Sequence, residues 1–218
     1  MSAVVFFDVD GVLIKGQTQK FLMSYLLKHK KIPLFLFFIV NCWFILYKIG
    51  LIKDVFEIRK IVYQYFKGWD VIKTKEIFKD FFEEEIKPKV NMLVVDIMRG
   101  HIKKGEKIVL LSASLREIID MLKEYLGLEY AISTELEVKN NKYTGNIAGL
   151  VPYGKYKIIK ISQFLQDNKF SLRHSWAYSD HISDLELLQI VENSCVVNPD
   201  RKLRHIAIKN GWRIYDFE

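Results

Sequence analysis

The chain has only two cysteines, Cys42 and Cys195, in 218 residues. Isolated in different contexts, they form neither a disulfide framework nor a Cys-x-x-Cys metal site, which agrees with a reducing compartment. No Lys/Arg run with interleaved aromatics occurs, so nucleic acid is the least favoured partner. There is no signal-peptide pattern at the start: Val4-Val5-Phe6-Phe7-Asp8 reads as a strand running into an acid, and a cytoplasmic protein is expected. Internal repeats and low-complexity tracts are also absent. The longest apolar stretch, Ile32 to Tyr47, would reach roughly 24 Å as a helix, short of a hydrocarbon layer of roughly 30 Å. A single crossing there would also put Asp8 and Asp180 on opposite sides of a bilayer. Two readings of the stretch remain. It is a buried or dimer-forming helix, or it rests at the inner face of the membrane with Lys28, Lys30, Lys31, Lys48 and Lys53 towards the headgroups.

What is present is a globular composition, 50% apolar and 27% charged. The 33 basic against 26 acidic residues give +7, which favours anionic partners such as phosphate esters or anionic lipid. Strand patterns at 4–9, 107–112, 130–136, 174–179, 194–197 and 212–217 alternate with helical ones at 116–126, 156–166, 184–192 and 200–210. Such alternation predicts an α/β fold with a parallel sheet. A hairpin is expected over 135–151, turning at Asn140-Asn141. Residues 15–88 break the rhythm, being helical throughout. They are expected to form an inserted cap, leaving 1–14 and 89–218 as the core.

Chemistry-bearing residues fall at expected strand ends, where open parallel sheets bind ligands. Asp8 and Asp10 follow the first strand, and Gly11 lets the backbone turn away. Taken alone, Asp-x-Asp-Gly is also a plain turn. Asp180 and Asp184 follow the strand Trp176-Ala177-Tyr178, and acids from two strand ends can clamp a hard cation such as Mg²⁺. Asp184 could equally cap its helix. Ser112 ends the second long strand, where its hydroxyl and the amide of Ala113 can hold a phosphoryl oxygen. Ser114, three residues before Glu117, matches a capping box and is assigned to the helix cap. Lys155 and Lys157 both suit a positive charge opposite the metal. The apolar face set by Ile161, Phe164 and Leu165 favours Lys157.

These motifs resemble, in order and over nearly the whole core, those of the haloacid dehalogenase superfamily. The finer resemblance is to its subfamily IB, the phosphoserine-phosphatase-like branch. It rests on Leu111-Ser112-Ala113-Ser114, the hairpin, Tyr178-Ser179-Asp180 and Val197-Asn198-Pro199-Asp200. The resemblance implies a Rossmann-like core with a helical (C1-type) cap. It also implies an Mg²⁺-dependent phosphatase in which Asp8 is the nucleophile, Asp10 the general acid and base, and Ser112 and Lys157 phosphate ligands. Asp8, the carbonyl of Asp10, Asp180 and Asp184 would serve the metal, and Gly11, Ala113 and Gln17 would line the substrate.

One departure bears on substrate. Phosphoserine phosphatases of this branch carry an acid for the substrate ammonium where this chain has neutral Gln17; Glu57 or another acid of the helical segment would have to substitute. A phosphorylated lipid suits the apolar 32–47 stretch, and other small phosphomonoesters remain open. So do transfer to an alcohol instead of water, and a docking protein with vestigial catalysis. Arg59 and His181 are further candidate contacts. Oligomeric state is not legible.

Overall fold

The computed structural model describes residues 3–48, 51 and 56–217. Its centre is β1 (Val4–Asp8), four apolar residues and a terminal acid. All four are fully buried, and they alternate between two cores: Val5 and Phe7 face one cluster, Val4 and Phe6 the other. A strand apolar on both faces belongs in the middle of a covered parallel sheet. There β1 lies, between β2 (Lys107–Leu115) and β5 (Trp176–Ser179), parallel to both.

The seven-stranded sheet has the order β4-β3-β2-β1-β5-β6-β7, completed by β3 (Tyr130–Lys139), β4 (Lys142–Ala148), β6 (Asn193–Val197) and β7 (Arg213–Tyr215). From β1 the chain winds outward through β2 and β3, and later outward the other way through β5, β6 and β7. The reversal falls between β1 and β5, the kind of switch point where such sheets bind ligands. Only β4 runs antiparallel. It returns from β3 through Asn140 (φ 51°) and Asn141 (φ 59°), left-handed residues that suit a two-residue hairpin turn.

Between β1 and β2 the described elements are helical. The chain forms α1 (Thr18–Lys28), α2 (Leu34–Lys48), α3 (Phe56–Gln64) and α4 (Val71–Phe81), then π and 3₁₀ turns to Lys89, then α5 (Met92–Lys103). Leu22, Leu26, Phe78 and Phe81 of this segment join the same apolar cluster as Val5 and Phe7. It is therefore packed onto the sheet core rather than tethered beside it. The later crossovers are α6 (Arg116–Tyr125), α7 (Lys155–Asp167), α8 (Leu185–Ile190) and α9 (Arg201–Asn210).

One expectation needs correction. β2 continues to Leu115, and α6 starts only at Arg116 with Leu115 at its N-cap and no side-chain cap bond. Ser114 is therefore a strand residue. Glu117, its supposed capping partner, instead accepts a 2.6 Å hydrogen bond from the Tyr143 hydroxyl. The 32–47 stretch is neither wholly buried nor wholly exposed. Leu36 and Val40 are buried while Leu34, Phe35, Phe38 and Ile45 are more than half exposed. No helix among the described residues is long and apolar enough to cross a membrane.

Candidate active site

Parallel register sets Asp8 beside Leu111 of β2 and Phe7 beside Tyr178 of β5. Ser112 and Ser179 follow those partners directly, so Asp8, Ser112 and Ser179 share the carboxyl edge of three adjacent strands. Lys157 completes the group from the first turn of α7. It is 4% exposed, and its Nζ donates at 2.6 Å to Asp8 Oδ1 and at 2.6 Å to Asp184 Oδ2. Ser179 Oγ also donates to Asp184 Oδ2, at 2.7 Å. Lys155, two residues earlier, is exposed and lies over the Tyr156 ring. Of the two lysines, the helix carries Lys157 inward and Lys155 outward. Asp184 sits at the start of α8 but makes no cap bond there, its carboxylate being turned to Lys157. The helix-cap reading of Asp184 is thereby displaced.

Asp180 meets the first loop from the other side. Gly11 has φ +82°, and a Cβ added to it would stand 1.9 Å from Asp180 Oδ2. Glycine is required there twice, by backbone hand and by the carboxylate filling the side-chain position. Asp200 holds the Asp180 loop from behind: its N–H donates to Asp180 O at 2.9 Å, and its Oδ2 accepts from Ile182 N–H at 2.8 Å.

The Asp10 carboxylate is fixed by groups the sequence reading passed over. Oδ1 accepts from the Thr18 backbone N–H at 2.7 Å and from the Thr18 hydroxyl, and Oδ2 accepts from Ser114 Oγ at 3.1 Å. Thr18 is buried at the first position of α1, so the helical segment begins on the side chain of Asp10. Nothing local marks Thr18 or Ser114: one lies eight residues downstream, and the other matches a capping pattern that the fold does not use.

The other candidates are placed as follows. Ser112 is buried, and its Oγ accepts the Ser114 N–H at 3.1 Å. The Ala113 carbonyl accepts from Thr134 Oγ1 at 2.8 Å. Gln17 is exposed at the N-cap position of α1 without a side-chain cap bond. His181 is bound within its own loop, Nδ1 to Ser183 Oγ at 3.0 Å. The side chains of Glu57 and Arg59 lie outside the described residues.

Two acids, Asp8 and Asp184, thus share one ammonium, with Asp180 close enough to feel its charge. Burial pushes the Asp8 carboxyl well above its ordinary value; Lys157 opposes the shift, and Asp184 and Asp180 add to it. Burial, and then Asp184, raise Asp180 to about 7. Burial works against the Lys157 charge, but Asp184 and Asp8 outweigh it and hold this lysine above the usual range. Such perturbation by burial and specific charges is typical of functional sites.

Among the described residues, no set of three His, Cys, Asp or Glu side chains is arranged to hold a metal ion by itself. Lys157 fills the space between Asp8 and Asp184. Asp180 nevertheless receives no side-chain donor among the described residues. A mostly buried carboxylate, next to Asp8 and raised by burial and Asp184 more than Lys157 lowers it, is a fitting partner for a hard cation. The donors are oxygen alone, which suits Mg²⁺ over softer metals.

A probable phosphatase of Mycobacterium tuberculosis is 35% identical over 150 residues, 69% of this chain and 52% of that protein. The chain thus matches about half the length of that relative. A phosphoserine phosphatase of the same organism is 25% identical over 222 residues, covering 100% of this chain and 71% of the relative. Among solved structures, a protein of unknown function from Bordetella pertussis superposes with a TM-score of 0.92 at 22% identity, over 99% of both chains. That likeness speaks to the fold. Residues 5–189, from the first strand past the Asp184 loop, match the haloacid dehalogenase-like hydrolases, and the chain belongs to that family.

Proposed function

We propose that this protein is an Mg²⁺-dependent phosphomonoesterase working through an aspartyl-phosphate on Asp8. One observation carries the reading: Asp8, Lys157 and Asp184, far apart in sequence, meet in two 2.6 Å ion pairs, with Asp180 pressed against Gly11 beside them.

Asp8 attacks phosphorus in line, the P–O bond to the leaving group breaks, and the phosphoryl group rests on the Asp8 carboxylate. Asp10 gives its proton to the departing alkoxide and later takes one from the water that hydrolyses the acyl phosphate. Its geometry suits both tasks, since the Ser114 hydroxyl can turn from donor to acceptor when Oδ2 carries the proton. Lys157 offsets charge on the phosphoryl oxygens, and Ser112 with the Ala113 amide faces them. Asp8, Asp180 and the Asp10 carbonyl would hold Mg²⁺, with Asp184 orienting that shell. The ion, when bound, neutralises phosphate charge.

The same reading makes 15–88 a cap and 1–14 with 89–218 the catalytic core of a cytoplasmic enzyme. Two contacts support it: Thr18 on Asp10, and the Tyr63 hydroxyl 3.5 Å from the Ala113 carbonyl. The named relatives favour a small phosphorylated metabolite, phosphoserine included. The exposed, uncharged Gln17 argues against phosphoserine, and the exposed apolar residues of α2 favour a phosphorylated lipid. A purely docking protein is disfavoured because no motif position has lost its chemical group.

The test is turnover of an aryl phosphate with Mg²⁺, in isotope-labelled water. Wild type should release labelled phosphate, and Asp8→Asn should lose several powers of ten in kcat while staying folded. Undiminished activity in Asp8→Asn would falsify the nucleophile assignment, and unlabelled product would replace hydrolysis by transfer.

A further inference from the structure

We infer that the outer face of α2, with the lysines just before it, docks on an anionic membrane surface. At 100° per residue, Leu34, Phe35, Phe38, Ile39, Cys42 and Ile45 fall within an arc of about 140° on one side of the helix. Each is exposed, the five aliphatic and aromatic members by 40–63%. Buried Leu36 and Val40 lie on the opposite side and anchor the helix to the protein. An apolar arc this wide normally faces a core. Here it faces out.

Charge selects the occupant. Between Asp10 and Asp54 the sequence has no Asp or Glu but seven lysines. Lys28, Lys30 and Lys31 are exposed immediately before α2. Among the described residues, acids come near this helix end only from the following helices: Glu84 lies 3.9 Å from His29, and Glu84, Asp80 and Glu85 act on Tyr25. A second copy of this chain would bring a second set of lysines against the first. An anionic bilayer offers hydrocarbon to the phenylalanines and headgroup phosphates to the lysines, the usual match for an interfacial helix. The 15 residues of α2 span about 22 Å, so the helix lies along the surface rather than through it. The hydrolytic chemistry is independent of this contact. α1 links the two, starting at Thr18 on Asp10 and ending about 16 Å away at Lys28 beside the basic cluster.

The chain carries its own reporter. Cys42 is exposed on the docking arc, while Cys195 is buried. Full-length protein should sediment with phosphatidylcholine vesicles containing phosphatidylglycerol but not with phosphatidylcholine alone, and only the former should slow maleimide labelling of Cys42. Lys28→Gln with Lys31→Gln should weaken vesicle binding roughly 30-fold, about fivefold for each lysine near the surface. Phe35→Ser with Phe38→Ser should abolish it, and both double variants should keep wild-type aryl-phosphate turnover, which also verifies folding. Equal binding by wild type and the serine variant, or no binding to anionic vesicles, overturns the proposal. So does a wild-type dimer, seen by sedimentation equilibrium, that the serine variant converts to monomer without any vesicle contact.

Discussion

The strand-end site and the outer face of α2 depart from the ordinary partition of residues in opposite directions. At the sheet edge, carboxylates and an ammonium are buried; on α2, phenylalanine, leucine and isoleucine stand in solvent. The first arrangement is tolerable because the charges are paired, and Lys157, bonded to both Asp8 and Asp184, supplies that pairing. The second has no compensation among the described residues. Buried charge here points to chemistry and exposed hydrocarbon to contact, and the two lie at opposite ends of α1.

The sharpest way to separate the regions is to remove the ammonium. Lys157→Met should lower kcat by roughly 10²–10³ and destabilise the protein by about 3–5 kcal/mol, since two acids lose their buried partner. Lys155→Met should leave both kcat and the thermal midpoint at wild-type values. Equal effects in the two variants would undo the assignment of the phosphate-facing lysine. Next in size is Gly11→Ala, whose methyl group would collide with Asp180 Oδ2 and force a left-handed backbone on alanine. The expected cost is about 1–2 kcal/mol from the backbone alone, with Mg²⁺ affinity falling more steeply than stability as Asp180 is displaced. Calorimetric Mg²⁺ titration checks this, and unaltered affinity would mean that Asp180 does not serve the metal. The smallest effect belongs to Thr18→Val. It removes one hydroxyl from Asp10 but keeps the backbone N–H, so kcat should drop about tenfold and the limb of the pH–rate profile that reports Asp10 should move. A tenfold loss with an unmoved profile would assign Thr18 to folding only. None of these changes should affect vesicle binding.

Much of the sheet was legible because its strands are short apolar runs ending in Asp, Ser or turn residues. Asn140-Asn141 marked the hairpin correctly, being two residues that tolerate positive φ. Helical periodicity was enough to turn Lys157 inward and Lys155 outward. Local pattern misled at Ser114, where a capping box competed with strand continuation and tertiary pairing won: the hydroxyl donates to Asp10 instead of capping the helix. Thr18 left no trace, since its partner is set by how α1 leaves the loop. The stretch 32–47 was ambiguous for a different reason. Composition counts apolar residues without revealing which side of a helix the rest of the protein covers.

The interlock of Gly11 with Asp180 has a bearing on biosynthesis. The first loop emerges from the ribosome early, but the carboxylate that occupies its open flank is made some 170 residues later. Until then β1 lacks its β5 neighbour, and Asp8 lacks both its lysine and its acidic companions. A nascent chain therefore cannot assemble this cluster of charges until the Asp180–Asp184 loop has been made.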